Sequence, residues 1–246
     1  MASADTSKDA FGHALVDWAK GGTTPEVYER DDGSIDIGAG PDLFLAGFRR
    51  WPAAERQAVR YARGRVLDVG CGGGRVARHL QDRGLDVTAL DASPLAIRVA
   101  RSRGVHRTRC ARLEETESSI SAFDTVVLFG NNAGIFGTPV RVREGLARWA
   151  TEMPPGARVL AESTSPYGGG VPTVDAEHLR QDRKQGRSPG QLRLRVRYRQ
   201  WATEWFDWLF FSETEFRRVV RGTGWDVVAV LASEASEPFV AVLEKH

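Results

Sequence analysis

Val66-Leu67-Asp68-Val69-Gly70-Cys71-Gly72-Gly73-Gly74-Arg75 is the stretch that decides the fold of this 246-residue chain. A short apolar run ends in a glycine loop, and the amphipathic segment behind it runs through Leu80 to a stop at Gly84, so the order is strand, loop, helix. Gly70, Gly72 and Gly74 let the backbone turn tightly and approach a ligand with no Cβ in the way. The helix that follows offers unpaired N–H groups at its N-terminus. Asp86–Leu90 reads as a second strand, and Asp91 stands at its end, 21 residues past Gly70. A carboxylate there can accept both hydroxyls of a ribose. A lone glycine loop is an ordinary turn, but strand, loop, helix, strand and terminal acid at these intervals point to a nucleoside-type ligand. The spacing is G-x-G-x-G, with Arg75 where a dinucleotide fingerprint has its third glycine. Asp68, two residues before Gly70, would repel a pyrophosphate and attract an α-amino group.

Working outward, Ser93-Pro94 opens a helix to about Ser102, Arg107–Cys110 is a third strand, and Asp124–Phe129 is an apolar, buried one. Val140–Met153 is a helix ended by Pro154-Pro155-Gly156, and Arg158–Glu162 is the fifth strand of the series. This alternation predicts an α/β fold with a doubly wound, mostly parallel, Rossmann-like sheet. Upstream, helical stretches are expected at Gly12–Ala19 and Pro41–Tyr61, joined by a turn-rich acidic connection from Glu29 to Gly40. Downstream of Glu162 the pattern breaks. A loop through Pro166-Tyr167-Gly168-Gly169-Gly170 leads to a short helix and a basic turn over Arg180–Gly190. Two strands then follow as a hairpin, Leu192–Arg199 and Glu204–Phe211. Ser212-x-x-Glu215 forms a capping box for a helix ending near Gly222–Gly224, and Trp225–Leu231 and Pro238–Leu243 close the chain as strands. The expected organisation is one domain: a helical lid over 1–62, a ligand-binding core over 63–162, an acceptor-cap insertion over 163–211, and 212–246 completing the core.

With 41% hydrophobic and 27% charged residues the chain suits one compact soluble domain, without an apolar run long enough to span a membrane and without a secretory signal pattern. Cys71 and Cys110 are the only cysteines, too few for a disulfide framework or a tetrahedral thiolate site, which suits the cytoplasm. The net charge of +2 gives no global field for nucleic acid or membrane. Only four of the 34 basic residues are lysines. Seven of the 30 arginines lie between Arg180 and Arg199. Genome bias or an anionic ligand would each produce that excess, and the cluster is where an anionic acceptor is to be sought.

Asp68 to Gly74 and Leu90-Asp91-Ala92-Ser93 resemble the first two motifs of the class I S-adenosylmethionine (SAM)-dependent methyltransferases, in the type that acts on small molecules. The resemblance runs from about Arg65 to Arg158 and resumes weakly near the C-terminus. It implies a seven-stranded sheet with its last strand antiparallel, SAM as cofactor and S-adenosylhomocysteine (SAH) as product. It also implies that Asp68, Gly70, Cys71 and Gly72 hold the methionine part and that Asp91 and Ala92 hold the ribose. Leu128–Gly137, with Gly130 and Asn131, resembles the strand end where cofactor and acceptor meet. The family's usual acid after the third strand is absent, and Glu114 or the backbone N–H groups of Arg112 and Leu113 stand in its place for adenine.

Methyl transfer is an in-line displacement from a sulfonium, which needs alignment, exclusion of water and a deprotonated nucleophile. No metal is expected, because the histidines lack ligand spacing. Candidate catalytic residues are His178 in the insertion, Glu162 at the carboxyl end of the fifth strand, and Tyr28 in the lid; each has a plain alternative as a surface or loop-capping residue. Arg193, Arg195, Arg197 and Arg199 alternate with Leu192, Leu194, Val196 and Tyr198, which is either a solvated arginine face over an aromatic layer or the wall of an anion-binding pocket. The expected partner is a small-molecule acceptor, with no membrane, and with the oligomeric state left open. An RNA or other nucleic-acid methyltransferase, a SAM-binding protein without transferase activity, and a dehydrogenase are the alternatives. The N/D-P-P-Y/F motif of base-amino methylation is missing from FGNNAGIF, which weighs against nucleic acid.

Overall fold

The computed structural model describes residues 6–167, 176–232 and 238–246. Gly168, Gly169 and Gly170 of the expected loop lie outside the described residues. In chain order, the N-terminal part holds α1 (Ala10–Trp18), β1 (Val27–Arg30), β2 (Ile35–Ile37), α2 (Pro41–Phe44) and α3 (Ala53–Ala58). The middle runs through β3 (Arg65–Val69), α4 (Arg75–Asp82), β4 (Asp86–Asp91), α5 (Pro94–Ser102), β5 (Arg107–Cys110), β6 (Thr125–Leu128), α6 (Pro139–Glu152) and β7 (Arg158–Ser163). After it come α7 (Ala176–Lys184), β8 (Gln191–Tyr198), β9 (Trp201–Ala202), β10 (Phe206–Leu209), α8 (Glu213–Val220), β11 (Trp225–Leu231) and β12 (Phe239–Lys245).

Seven strands form the main sheet in the order β11-β12-β7-β6-β3-β4-β5. β3, β4 and β5 are parallel neighbours, as are β6 and β7. The last strand, β12, is antiparallel to both β7 and β11. This is the expected Rossmann-like arrangement. Its central strands are apolar on both faces: β6 is buried throughout and β3 is buried after Arg65, as strands covered on two sides must be. A second sheet has the order β10-β8-β1-β2, with β9 paired to β8. Among the described residues no helix is long and apolar enough to cross a membrane.

The described chain falls into two compact units. One comprises residues up to Trp51 together with Arg65–Ser118 and Leu194–Trp205; the other comprises Pro52–Gly64, Ser119–Arg193 and Phe206–His246. In the first, α1 packs on α5 and α4 packs on β4. In the second, α6 packs on α8 and α3 on β12.

Three local readings need correction. The acidic connection from Glu29 to Gly40 contains strand: β1 and β2 pair antiparallel across Asp31-Asp32-Gly33-Ser34. Gly33 takes φ 89°, and Arg30 N–H donates to the Ser34 carbonyl at 2.9 Å, which closes the hairpin. The acids at the tip disguised a turn between two short strands. Pro41–Tyr61 is not one helix, because Pro52 forces Trp51 into extended backbone (ψ 155°) and leaves α2, α3 and two short 3-10 turns. The expected basic turn at Arg180 is helix as far as Lys184, supported by the Glu177–Arg180 pair at 2.6 Å one turn apart.

The capping box holds. Ser212 Oγ accepts from Glu215 N–H at 3.3 Å, and Glu215 Oε2 accepts from Ser212 N–H at 2.9 Å.

Candidate active site

In the first unit, the glycine loop leaves β3 through three left-handed glycines, Gly70 at φ 65°, Gly72 at 51° and Gly74 at 75°. Side chains are disfavoured there, which accounts for the glycine pattern. Cys71 N–H donates to the Leu90 carbonyl at 3.0 Å, tying the loop to β4. Asp68 is 2% exposed, and its Oδ2 accepts from Ala77 N–H at 2.9 Å in the first turn of α4. The helix dipole and that N–H stabilise an anion on the floor of the loop.

Asp91 is gripped from two sides. Oδ2 accepts from Gly72 N–H and Oδ1 from Ser93 N–H, each at 2.8 Å. The loop after β3 and the turn after β4 thereby converge on one half-buried carboxylate at the carboxyl edge of parallel strands. Burial pushes its pKa up from 3.8 to about 6, and the two N–H donors only partly oppose that. The buried Cys71 thiol is also raised, first by burial and then by the charges of Asp91 and Asp68. Ala92 offers its carbonyl to the Cys110 thiol at 3.8 Å. Ala111 N–H donates to the Asp91 carbonyl at 3.0 Å, so the Arg112-Leu113 segment starts beside the same strand end. Arg112 is exposed and Leu113 is buried.

The N-terminal helices lie directly against this loop. A Cβ built on Gly73 would come within 2.3 Å of Leu45 Cδ2, and one on Gly72 would touch Leu15 and Phe11 at 3.9 Å. Phe11 meets Phe44 and Trp18 edge-on, with centroids 4.9 and 6.0 Å apart, and His13 stacks on Trp201 at 3.7 Å. Tyr28 donates its hydroxyl to Glu26 Oε1 at 3.2 Å, while Glu26 Oε2 accepts from Gly40 N–H at 3.0 Å. Burial and the Glu26 charge push the Tyr28 phenol well above its ordinary range, and burial raises Glu26.

The arginine row is paired with acids. Glu29, opposite Arg195 in the β1–β8 register, accepts from Arg195 Nε and Nη2 at 2.9 Å each and from Arg197 Nη1 at 2.7 Å. Arg199 reaches Asp17 at 2.9 Å, and in the second unit Arg193 reaches Asp207 at 3.4 Å. The alternate residues Leu192, Leu194, Val196 and Tyr198 are buried.

In the second unit, β6 and β7 end side by side, and the structure brings Glu162, Gly130 and Asn131 together there. Glu162 is 3% exposed, and its Oε2 accepts from Gly130 N–H at 2.6 Å. Asn131 sits in the left-handed region (φ 62°), and its Oδ1 accepts from Thr164 Oγ1 at 2.8 Å. Gly134 lies so close to β10 that a Cβ on it would fall 1.8 Å from the Leu209 carbonyl oxygen. His178 and Asp182, one turn apart on α7, form a buried pair, Nε2 to Oδ2 at 3.1 Å.

Asp9 escaped the sequence reading. It caps α1 through Gly12 N–H at 3.0 Å and also accepts from Ser93 Oγ at 2.7 Å. An Asp immediately before the apolar run AFGHALVDW is an N-cap signal, hidden by placing the helix start at Gly12.

A doubly wound sheet whose glycine loop and strand-end carboxylate meet at one edge has the geometry that suits a nucleoside-type ligand. The family model "methyltransferase domain" matches residues 66–156 of the chain. It is 34% identical over 129 residues to a trans-aconitate 2-methyltransferase of Mycobacterium tuberculosis, covering 50% of this chain and 47% of that protein. A trans-aconitate 2-methyltransferase of Rhodococcus jostii is 34% identical over 100 residues, covering 40% and 37%. The chain thus matches these curated relatives over less than half of their length. Among solved structures, a SAM-dependent methyltransferase from Bacteroides fragilis, crystallised with SAH, superposes with a TM-score of 0.78 at 23% identity, covering 98% of this chain and 96% of that one.

Proposed function

We propose that this chain is a SAM-dependent methyltransferase that transfers a methyl group to an oxygen of a small molecule, with a carboxylate as the first acceptor class to examine. The observation that carries the reading is the Asp91 carboxylate, fixed by Gly72 and Ser93 N–H groups at a strand end inside a matched methyltransferase domain. The residues fit the cofactor: three left-handed glycines keep the loop free of Cβ atoms, and Asp91 retains acceptor capacity beyond its two N–H donors. Asp68 with Gly70, Cys71 and Gly72 would hold the methionine part, Asp91 and Ala92 the ribose, and Arg112 and Leu113 the adenine side. Bound SAM supplies an electrophilic methyl on a sulfonium.

The chain's own residues align and dry the site. Phe11, Leu15 and Leu45 cover the glycine loop with apolar surface, which keeps water from the loop. A carboxylate acceptor arrives deprotonated and needs no base. A hydroxyl acceptor does, and His178, whose Nε2 lies 3.1 Å from Asp182 Oδ2, is the residue proposed for it. Glu162, held by Gly130 N–H, is assigned to shaping the β6 turn, and Tyr28 to holding Glu26; a phenol so raised is no base at neutral pH. The trans-aconitate relatives support the carboxylate class, and the acid-paired arginine row supports a small molecule over a nucleic-acid backbone. The reduced cysteines, Cys71 and Cys110, support a cytoplasmic setting.

The test is incubation with SAM and a panel of di- and tricarboxylates (trans-aconitate included), phenols and amines, reading SAH and methylated product. SAH formed with a carboxylate supports the proposal. Methylation confined to RNA, or SAH bound with no turnover of any acceptor, contradicts it.

A further inference from the structure

We propose that Asp9 is a positioning residue for the cofactor site, holding the Asp91 carboxylate in place through Ser93 and tying the docking of α1 to cofactor loading. This rests on the SAM-binding reading of Asp91.

One carboxylate serves two helices. Asp9 Oδ1 accepts from Gly12 N–H (3.0 Å) and so caps α1. Asp9 Oδ2 accepts from Ser93 Oγ (2.7 Å) and from Leu95 N–H (3.3 Å) and so caps α5 as well. Ser93 is itself the N-cap of α5, its Oγ accepting from Ala96 N–H at 2.9 Å. With that lone pair engaged, the single hydroxyl proton points to Asp9, and the Ser93 rotamer is fixed by bonds on both sides. The backbone N–H of the same residue donates to Asp91 Oδ1 at 2.8 Å. The sequence of contacts is therefore α1 terminus, Asp9, Ser93, Asp91, in which each of the three links is a hydrogen bond accepted by a carboxylate.

The packing enforces the arrangement. A Cβ on Gly12 would lie 2.4 and 2.5 Å from the two Asp9 oxygens and 2.5 Å from Ser93 Oγ. Glycine at this helical position costs helix propensity, and close approach of α1 to the α5 terminus is what it permits. Gly12 N–H of α1 and Leu95 N–H of α5 both donate to this one carboxylate.

The same charge acts on Asp91. Among the described residues, the titratable groups that act on Asp91 are Asp9 at the cap of α1, Cys71 from the glycine loop and Cys110 from β5. Both thiols are raised, chiefly by burial, so they stay neutral where Asp91 titrates. Asp9 is thus the neighbouring charge that works against an ionised Asp91, and ribose hydroxyls work in the opposite direction.

The experiment is calorimetric titration of the full chain with SAH from pH 5 to 8.5, for the wild type and for Asp9→Asn. Neutralising Asp9 moves the midpoint of the affinity-versus-pH curve to lower pH. If the midpoint falls by about half a unit, the variant-to-wild-type affinity ratio is about twofold higher at pH 5.5 than at pH 8. Ser93→Ala, which removes the hydroxyl link and keeps both carboxylates, lowers affinity across the range and increases proteolytic cleavage before Trp18 in the SAH-bound protein. A uniform affinity loss in Asp9→Asn with an unmoved midpoint overturns the proposal and leaves Asp9 a structural cap. If Asp9→Asn does not fold, Ser93→Ala alone decides, and wild-type affinity in it overturns the proposal. Absence of SAH binding by the wild type at every pH contradicts the SAM reading itself.

Discussion

Asp91 gives the sharpest consequence of the site. Its carboxyl titrates at about 6 in the ligand-free protein, against an ordinary 3.8, with burial as the main cause. At about 1.4 kcal/mol per pH unit, keeping it ionised at neutral pH costs the folded chain on the order of 3 kcal/mol. Solvent around a half-buried carboxylate reduces that to about 1–2 kcal/mol. The raised value fixes the sign: the protonated form favours folding, so this contribution is full below 3.8 and is lost as the pH rises through about 6. Hydroxyl donors need the ionised form, so SAH affinity has the opposite slope. It falls about tenfold between pH 7.5 and pH 5, and binding releases a proton in that window. Titration calorimetry in two buffers of different ionisation heat measures both quantities. Asp91→Asn abolishes the slope and binds more weakly throughout. A wild-type affinity that is flat from pH 5 to 8, with no proton release, would refute the assignment of Asp91 to the ribose.

Other expectations follow from single contacts. Gly134→Ala destabilises the protein by about 2–3 kcal/mol in chemical denaturation, since its Cβ meets the Leu209 carbonyl at 1.8 Å and the obstacle is backbone. Glu162→Ala leaves the half-buried Gly130 N–H without its acceptor and costs about 1 kcal/mol of stability, read from the same denaturation curves. Ser212→Ala removes the capping box of α8 and lowers stability by about 1 kcal/mol. The Arg195 and Arg197 hydrogen bonds hold Glu29 below its ordinary 4.5. Its contribution is present above 4.5 and fades as the pH falls through the depressed value, and Glu29→Gln removes that part of the acid sensitivity of thermal unfolding.

What the sequence made legible was set by how local the physics is. The Gly70–Gly74 loop and Asp91 could be read because left-handed backbone demands glycine, and because the βαβ spacing places the acid at the next strand end. The Ser212–Glu215 box was equally local. β1 and β2 were missed because four- and three-residue strands carry little periodicity, and β1 is held by Glu29 reaching Arg195 across 166 positions of sequence. Asp9 was missed for the same reason: its second partner, Ser93, is 84 positions away. The arginine alternation on β8 was visible, but its meaning was not. Whether such a row binds a ligand or a neighbouring strand depends on which acids fold up against it, and here Glu29, Asp17 and Asp207 do.

The most direct test of the central claim is SAH production from SAM by the wild type and by Asp91→Ala, with trans-aconitate and related carboxylates as acceptors. The account predicts acceptor-dependent SAH with a singly methylated product. In Asp91→Ala, SAM binding weakens by about 1.5–3 kcal/mol, from loss of the charged acceptor for the ribose hydroxyls. Preferential binding of NAD over SAM, or SAM turnover unaffected by Asp91→Ala at sub-saturating SAM, would contradict it.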